Sequence, residues 1–105
     1  MLVDLNIVPL ERGAHLSDAI AEIVDIVNDS GLPYQLTPTG TCIEGDWDEV
    51  MPVVRRCHEQ ARQRSPHVMT TVQIEDEEGA FNKLRANVSS VEERLGHSAE
   101  RLVME

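Results

Sequence analysis

Gln35, Thr37, Cys42 and Glu44 place an amide, a hydroxyl, a thiol and a carboxylate on one face of a short hairpin. They fall within the run YQLTPTGTCIEGDWDEV, residues 34–50. Tyr34 and Leu36 alternate with Gln35 and Thr37, the period-2 pattern of a half-buried strand. Pro38-Thr39-Gly40 supplies a fixed φ and a residue free to take φ > 0, which predicts a tight reversal. Thr41 and Ile43 alternate with Cys42 and Glu44 on the return. Gly45 ends the strand, and Asp46 and Glu49 have the spacing of a capping box at a helix start. A carboxylate in mid-sheet is costly unless it is solvated or partnered. Glu44 therefore needs a partner.

Several chemistries are testable against these residues. Nucleophilic catalysis by Cys42 needs a nearby base to raise the thiolate fraction. Glu44, two residues on, does the opposite, because an anion beside a thiol raises its pKa. No histidine is predicted beside it, so catalysis is not expected. A metal would draw on His15, His58, His67, His97, Cys42 and Cys57. The close pair Cys57-His58 points about 100° apart on a helix, and the set reads as scattered histidines with a core thiol. Trp47 has two readings. It covers the end of the hairpin, or its face receives a cationic heterocycle beside Glu44 by a cation–π contact.

The elements that must position these groups are legible from periodicity. Val3, Leu5 and Ile7 alternate with Asp4, Asn6 and Val8 in a first strand that Pro9 ends. A polar loop, Glu11 to Ala14, precedes a helix with Ile20, Ile23, Val24 and Val27 at helical spacing. Its expected N-cap is Ser17, and Gly31 suits its C′ position. After the hairpin, Val50, Val53, Val54, Cys57 and Ala61 share one face of a second helix. Pro52 is awkward there, since it removes a backbone donor; the regular helix begins near Asp48 or its first turn is distorted. His67 to Ile74 alternates again. A last helix, about 80–95, carries Phe81, Leu84, Val88, Val91 and Leu95, and 96–105 forms a weakly helical tail.

The order β-α-β-β-α-β through residue 76 predicts an α+β, ferredoxin-like two-layer sandwich. It has a four-stranded antiparallel sheet with both helices on one face, plus an extra C-terminal helix. The 105 residues form a single domain. Strand parity gives the uncovered face Asp4, Asn6, Gln35, Thr37, Cys42, Glu44, Thr71 and Gln73, with Val8 and Met69. Short hydrogen-bonding groups of this kind suit a small polar ligand or a wet subunit interface.

Composition narrows the function further. The net charge of −10 opposes binding to phosphate backbones. The two strands expected at the sheet centre contain no aromatic residue on which an RNA base could stack. No nucleic-acid partner is expected. No apolar run approaches the ~20 residues of a membrane span. The N-terminal segment lacks the basic and small-residue features of a signal peptide. A cytoplasmic protein with both thiols reduced is expected.

Four segments carry a family resemblance: V-D-L-N-I-V-P-L, S-G-L-P-Y-Q-L-T-P-T-G-T-C-I-E-G-D-W-D-E-V, V-M-T-T-V-Q-I-E-D and S-V-E-E-R-L. Together they span about residues 2–95, and the chain resembles the thiamine-binding protein family. The resemblance implies non-catalytic binding of thiamine or its hydroxymethylpyrimidine part; no cofactor and no metal is expected. It also implies pairing through the sheets into dimers or tetramers. By position it implies binding residues drawn from Asn6, Thr37, Gly40, Thr41, Glu44 and Thr71. Pyrimidine chemistry adds Gln35 or Thr37 as an acceptor for the exocyclic amine, and the thiazolium cation favours Trp47 as an aromatic face. The expected site lies on the open sheet face at a subunit interface. The alternatives are a structural or regulatory oligomerisation module with no ligand and, behind it, an enzyme of pyrimidine or thiamine metabolism.

Overall fold

Alternating apolar residues in three segments build the centre of the sheet, and two amphipathic helices close over them. The computed structural model describes residues 1–10 and 16–101. The elements are β1 (Leu2–Pro9), α1 (Leu16–Asp29), β2 (Tyr34–Thr37), β3 (Gly40–Glu44), α2 (Trp47–Arg64), β4 (Val68–Glu75) and α3 (Lys83–Leu95). The strands lie in the order β2-β3-β1-β4, all antiparallel. This is the expected ferredoxin-like sandwich with an added helix. The expected loop Glu11–Ala14, His15 and tail residues 102–105 lie outside the described residues.

The core confirms the parity reading. Val3, Leu5, Ile7 and Ile43 from the sheet pack with Ile23 and Val27 of α1 and with Val50, Val53, Val54, Cys57 and Ala61 of α2. The register pairs Val3 with Ile43 and Leu5 with Thr41, which fixes those side chains on the helix-covered face. Asp4, Cys42 and Gln73 share the opposite face.

Local details depart from the sequence expectations in instructive ways. α1 already includes Leu16, so Ser17 lies in its first turn and is not the cap. Gly31 does adopt the left-handed region after α1, at φ +76°. The β2–β3 reversal uses only Pro38 and Thr39, with Thr37 paired to Gly40. Gly40 is not among the residues with positive φ. Its requirement is steric: a Cβ there would meet the Leu5 carbonyl oxygen at 2.8 Å and Asp4 Oδ1 at 3.1 Å. The α2 start is as expected, with Glu49 Oε1 accepting the Asp46 N–H at 3.0 Å. Pro52 sits inside that helix. Phe81 precedes α3, because Asn82 at φ 60° breaks the helical geometry before Lys83. Gly96, at φ 78°, closes α3, and residues 97–101 are not helical.

Candidate functional site

Unequal strand lengths create a cleft at one end of the sheet. β1 pairs with β4 along its whole length, up to Pro9↔Val68. Its pairing with β3 stops at Leu5↔Thr41. Beyond that point the peptide edge of Asn6–Val8 on the β3 side has no strand partner among the described residues. An unpaired strand edge presents N–H and C=O groups ready to bond. The β2–β3 turn and α1 border this gap and enclose a cleft of about 260 Å³. Leu5, Ile7, Ile20, Ile23 and Leu36 give it apolar walls, and Asn6, Thr37, Gly40 and Thr41 supply polar groups.

The polar groups of the cleft are not equally free. The Thr37 hydroxyl is committed to the turn: it accepts the N–H of Thr39 at 3.3 Å and of Gly40 at 3.1 Å, and donates to the Gly40 carbonyl at 3.0 Å. Asn6 Nδ2 donates to the Thr39 carbonyl, tying β1 to the turn. Thr41, 4% exposed, stands among the apolar walls on the helix-covered face. The described lining contains no charged side chain, so the cleft favours a flat, neutral, partly polar group.

The residues of the expected site fall in four places. Asn6, Thr37, Gly40 and Thr41 meet at the cleft. Gln35 and Glu44 line a separate groove of about 530 Å³ between the β2–β3 edge and α3. Thr71 pairs with Asn6 from the β4 side. Trp47, 57% exposed, begins α2 next to Asp48, Met51, Pro52 and Arg55, away from both cavities. The cation–π reading beside Glu44 therefore has no shared cavity behind it.

Glu44 has the partner that its position demanded. Only 8% exposed, its carboxylate accepts the Lys83 N–H at 2.5 Å and the Leu84 N–H at 3.2 Å. The first N–H groups of a helix lack intrahelical acceptors and carry partial positive charge. Asn82, the residue at the N-cap, makes no side-chain capping bond. Glu44 thus caps α3 from the sheet. The face expected to be open is covered at this corner by α3, a docking that periodicity in a distant segment does not reveal.

The two thiols behave as the plain reading expects. Burial raises the Cys57 thiol to about 11. Partial burial, and then the Asp4 carboxylate 3.9 Å away, raise Cys42. Sequence reasoning missed the edge of Asn6–Val8 and the walls from Leu16 and Ile20. The signal available was the mismatch between a long first strand and a short third one.

Comparison with known proteins now bears on this geometry. The sequence profile described as thiamine-binding protein matches residues 3–92. The chain belongs to the thiamine-binding protein family. A UPF0045 protein of Mycobacterium bovis is 35% identical over 96 residues, covering 90% of this chain and 94% of that protein. A UPF0045 protein of Methanothermobacter thermautotrophicus is 34% identical over 95 residues, covering 88% and 96%. Among solved structures of similar fold is a protein of Thermotoga maritima assigned provisionally to thiamine biosynthesis or salvage. It has a TM-score of 0.77 and 21% identity, over 86% of this chain and 96% of that one. A hypothetical protein of Methanocaldococcus jannaschii superposes with a TM-score of 0.80 at 21% identity, over 88% and 95%. Within this thiamine-binding family member, no described helix is long and apolar enough to cross a membrane.

Proposed function

We propose that this protein binds thiamine through its aminopyrimidine ring in the strand-end cleft, without turning it over. The observation that carries the reading is the edge of Asn6–Val8, which has no strand partner among the described residues and borders an apolar slot. A heteroaromatic ring sliding into that slot buries its faces against Leu5, Ile7, Ile20 and Leu36. Its nitrogen and amine groups meet peptide, amide and hydroxyl partners at the rim. The cleft volume of about 260 Å³ lies just under the ~300–1,000 Å³ typical of sites for drug-sized ligands. It suits one ring rather than two. The cationic thiazolium half then extends toward solvent, where its charge stays hydrated.

Family membership and the Thermotoga maritima structure support thiamine as the ligand. The described lining supports binding rather than turnover, being made of aliphatic groups, hydroxyls and one amide. Calorimetric titration with thiamine, the free hydroxymethylpyrimidine and the free thiazole alcohol tests the assignment. Heat from the first two and none from the third is expected. No heat from thiamine at millimolar concentration contradicts it.

Self-association is part of the same proposal. Leu84, Val88, Val91 and Leu95 form a stripe along α3, a helix with no buried residue, and Val8 and Met69 are exposed on the sheet. Exposed apolar surface of this kind marks an interaction site, and we assign it to a dimer or tetramer of this chain. The same surface favours the second reading, an oligomerisation module with no ligand, which the titration separates from the first. The free thiols of Cys42 and Cys57 suit a reducing compartment, and we place the protein in the cytoplasm.

A further inference from the structure

We propose that Asn6, locked in one orientation by the Thr39 carbonyl, is the residue by which the cleft selects a 4-aminopyrimidine over its 4-oxo counterpart. The inference rests on the cleft being the pyrimidine site. A backbone carbonyl only accepts hydrogen bonds, so the Asn6 amide must turn its nitrogen toward Thr39. The opposite orientation sets two oxygens against each other. The side-chain amide has two N–H donors and one oxygen acceptor, and Thr39 uses one donor.

In the proposed arrangement Thr39 takes the N–H that points away from Oδ1. The remaining N–H and Oδ1 then lie side by side as a donor and an acceptor. A 4-aminopyrimidine shows an amine donor next to a ring-nitrogen acceptor, which complements that pair in two parallel bonds. It is the pattern by which an asparagine reads adenine. A 4-oxopyrimidine shows the reverse, a carbonyl acceptor next to a ring N–H. With the ring held in the same pose against the cleft walls, Asn6 matches it only by turning its amide over, which breaks the bond to Thr39 and opposes two acceptors there.

Position favours this role. Asn6 is the first β1 residue beyond the last β1–β3 pair, Leu5↔Thr41, and it lines the cleft. Its amide is fixed by the turn on one side, and in the proposed arrangement its free N–H and oxygen meet the ligand at the rim of the cleft.

The test compares binding of 4-amino-5-hydroxymethyl-2-methylpyrimidine and its 4-oxo analogue by competition calorimetry. The proteins are wild type, Asn6→Ala and Asn6→Ser, each checked for folding by thermal melting. Wild type should prefer the amino compound by roughly tenfold or more, the discrimination of one bidentate pair. Both variants should bind the two compounds with nearly equal affinity. A purely structural role for Asn6 lowers both affinities together and leaves their ratio intact, which overturns the inference while the cleft assignment stands. Equal affinities in wild type overturn it without recourse to a variant. Binding of neither compound by wild type removes the cleft assignment, and the inference with it.

Discussion

Replacing Glu44 by glutamine should release α3 from the sheet while leaving the core intact. Two backbone N–H groups, of Lys83 and Leu84, point at this one carboxylate. A hydrogen bond to a charged group contributes about 1.5–3 kcal/mol. The favourable position of an anion at a helix N-terminus adds about 0.3–1 kcal/mol. Glutamine keeps one oxygen acceptor and loses the charge, so a loss of about 2 kcal/mol is expected, roughly a thirtyfold shift toward undocked helix. Little else opposes the shift, since α3 has no buried residue and Asn82 supplies no side-chain cap. The Lys83–Glu77 ion pair at 2.8 Å joins α3 only to the loop before it, is partly exposed and contributes little to docking. Hydrogen exchange followed by mass spectrometry reads the result. Protection of the Lys83 and Leu84 amides should fall by about the same thirtyfold, while β1 amides such as those of Val3 and Leu5 keep theirs. Unchanged protection in α3, or equal loss across the whole sheet, refutes the capping role. Thiamine affinity should not change, because Glu44 follows Ile43 in β3 and faces away from the cleft.

Other expectations come from the same contacts. Gly40→Ala should cost about 1–3 kcal/mol, since the new Cβ would stand 2.8 Å from the Leu5 carbonyl oxygen; thermal melting reads that loss, and calorimetry should show weakened thiamine binding as the turn shifts. Glu22 clasps α1 to α2 by accepting from Arg64 and Gln60, and those bonds lower its carboxyl from 4.5 to about 2. A depressed carboxylate adds stability above its unfolded pKa and loses it on acidification, so the Glu22 contribution should fade between about pH 4.5 and 2. Carbon-13 titration of Glu22 checks this, and Arg64→Ala should return the carboxyl toward its ordinary range. Iodoacetamide at pH 8 should modify Cys42 well before Cys57, whose thiol burial holds at about 11; equal rates contradict the buried placement. Val88→Glu with Val91→Glu should shift the mass found by light scattering toward monomer, and an unchanged mass removes α3 from the assembly surface.

Features set by local periodicity were readable in the chain; those set by distant partners were not. Alternation in Val3–Ile7 and Thr41–Glu44 gave the sheet faces correctly, because a one-residue slip reverses every side chain and burial forbids it. The requirement that Glu44 have a partner was also legible. The partner itself, an amide pair 39 and 40 residues further on, was not. Its neighbours Pro38 and Thr39 mark Gly40 as a turn glycine, whereas its constraint is the Leu5 carbonyl on another strand. Phe81 extends the apolar spacing of the last helix by one position, yet the left-handed Asn82 excludes it. The cleft gathered half of the expected ligand contacts, and the others separated because parity groups residues by face but not by position along the sheet.

The most direct test of the account is a nitrogen-15 amide titration of the protein with thiamine. Binding in the cleft should move the amide signals of Ile7, Val8, Leu36, Gly40 and Thr41, with those of Tyr34, Leu84 and Val88 unmoved. Shifts confined to Tyr34 and α3 would place the ligand in the groove beside Glu44 and contradict binding in the cleft, as would a spectrum unchanged at millimolar thiamine.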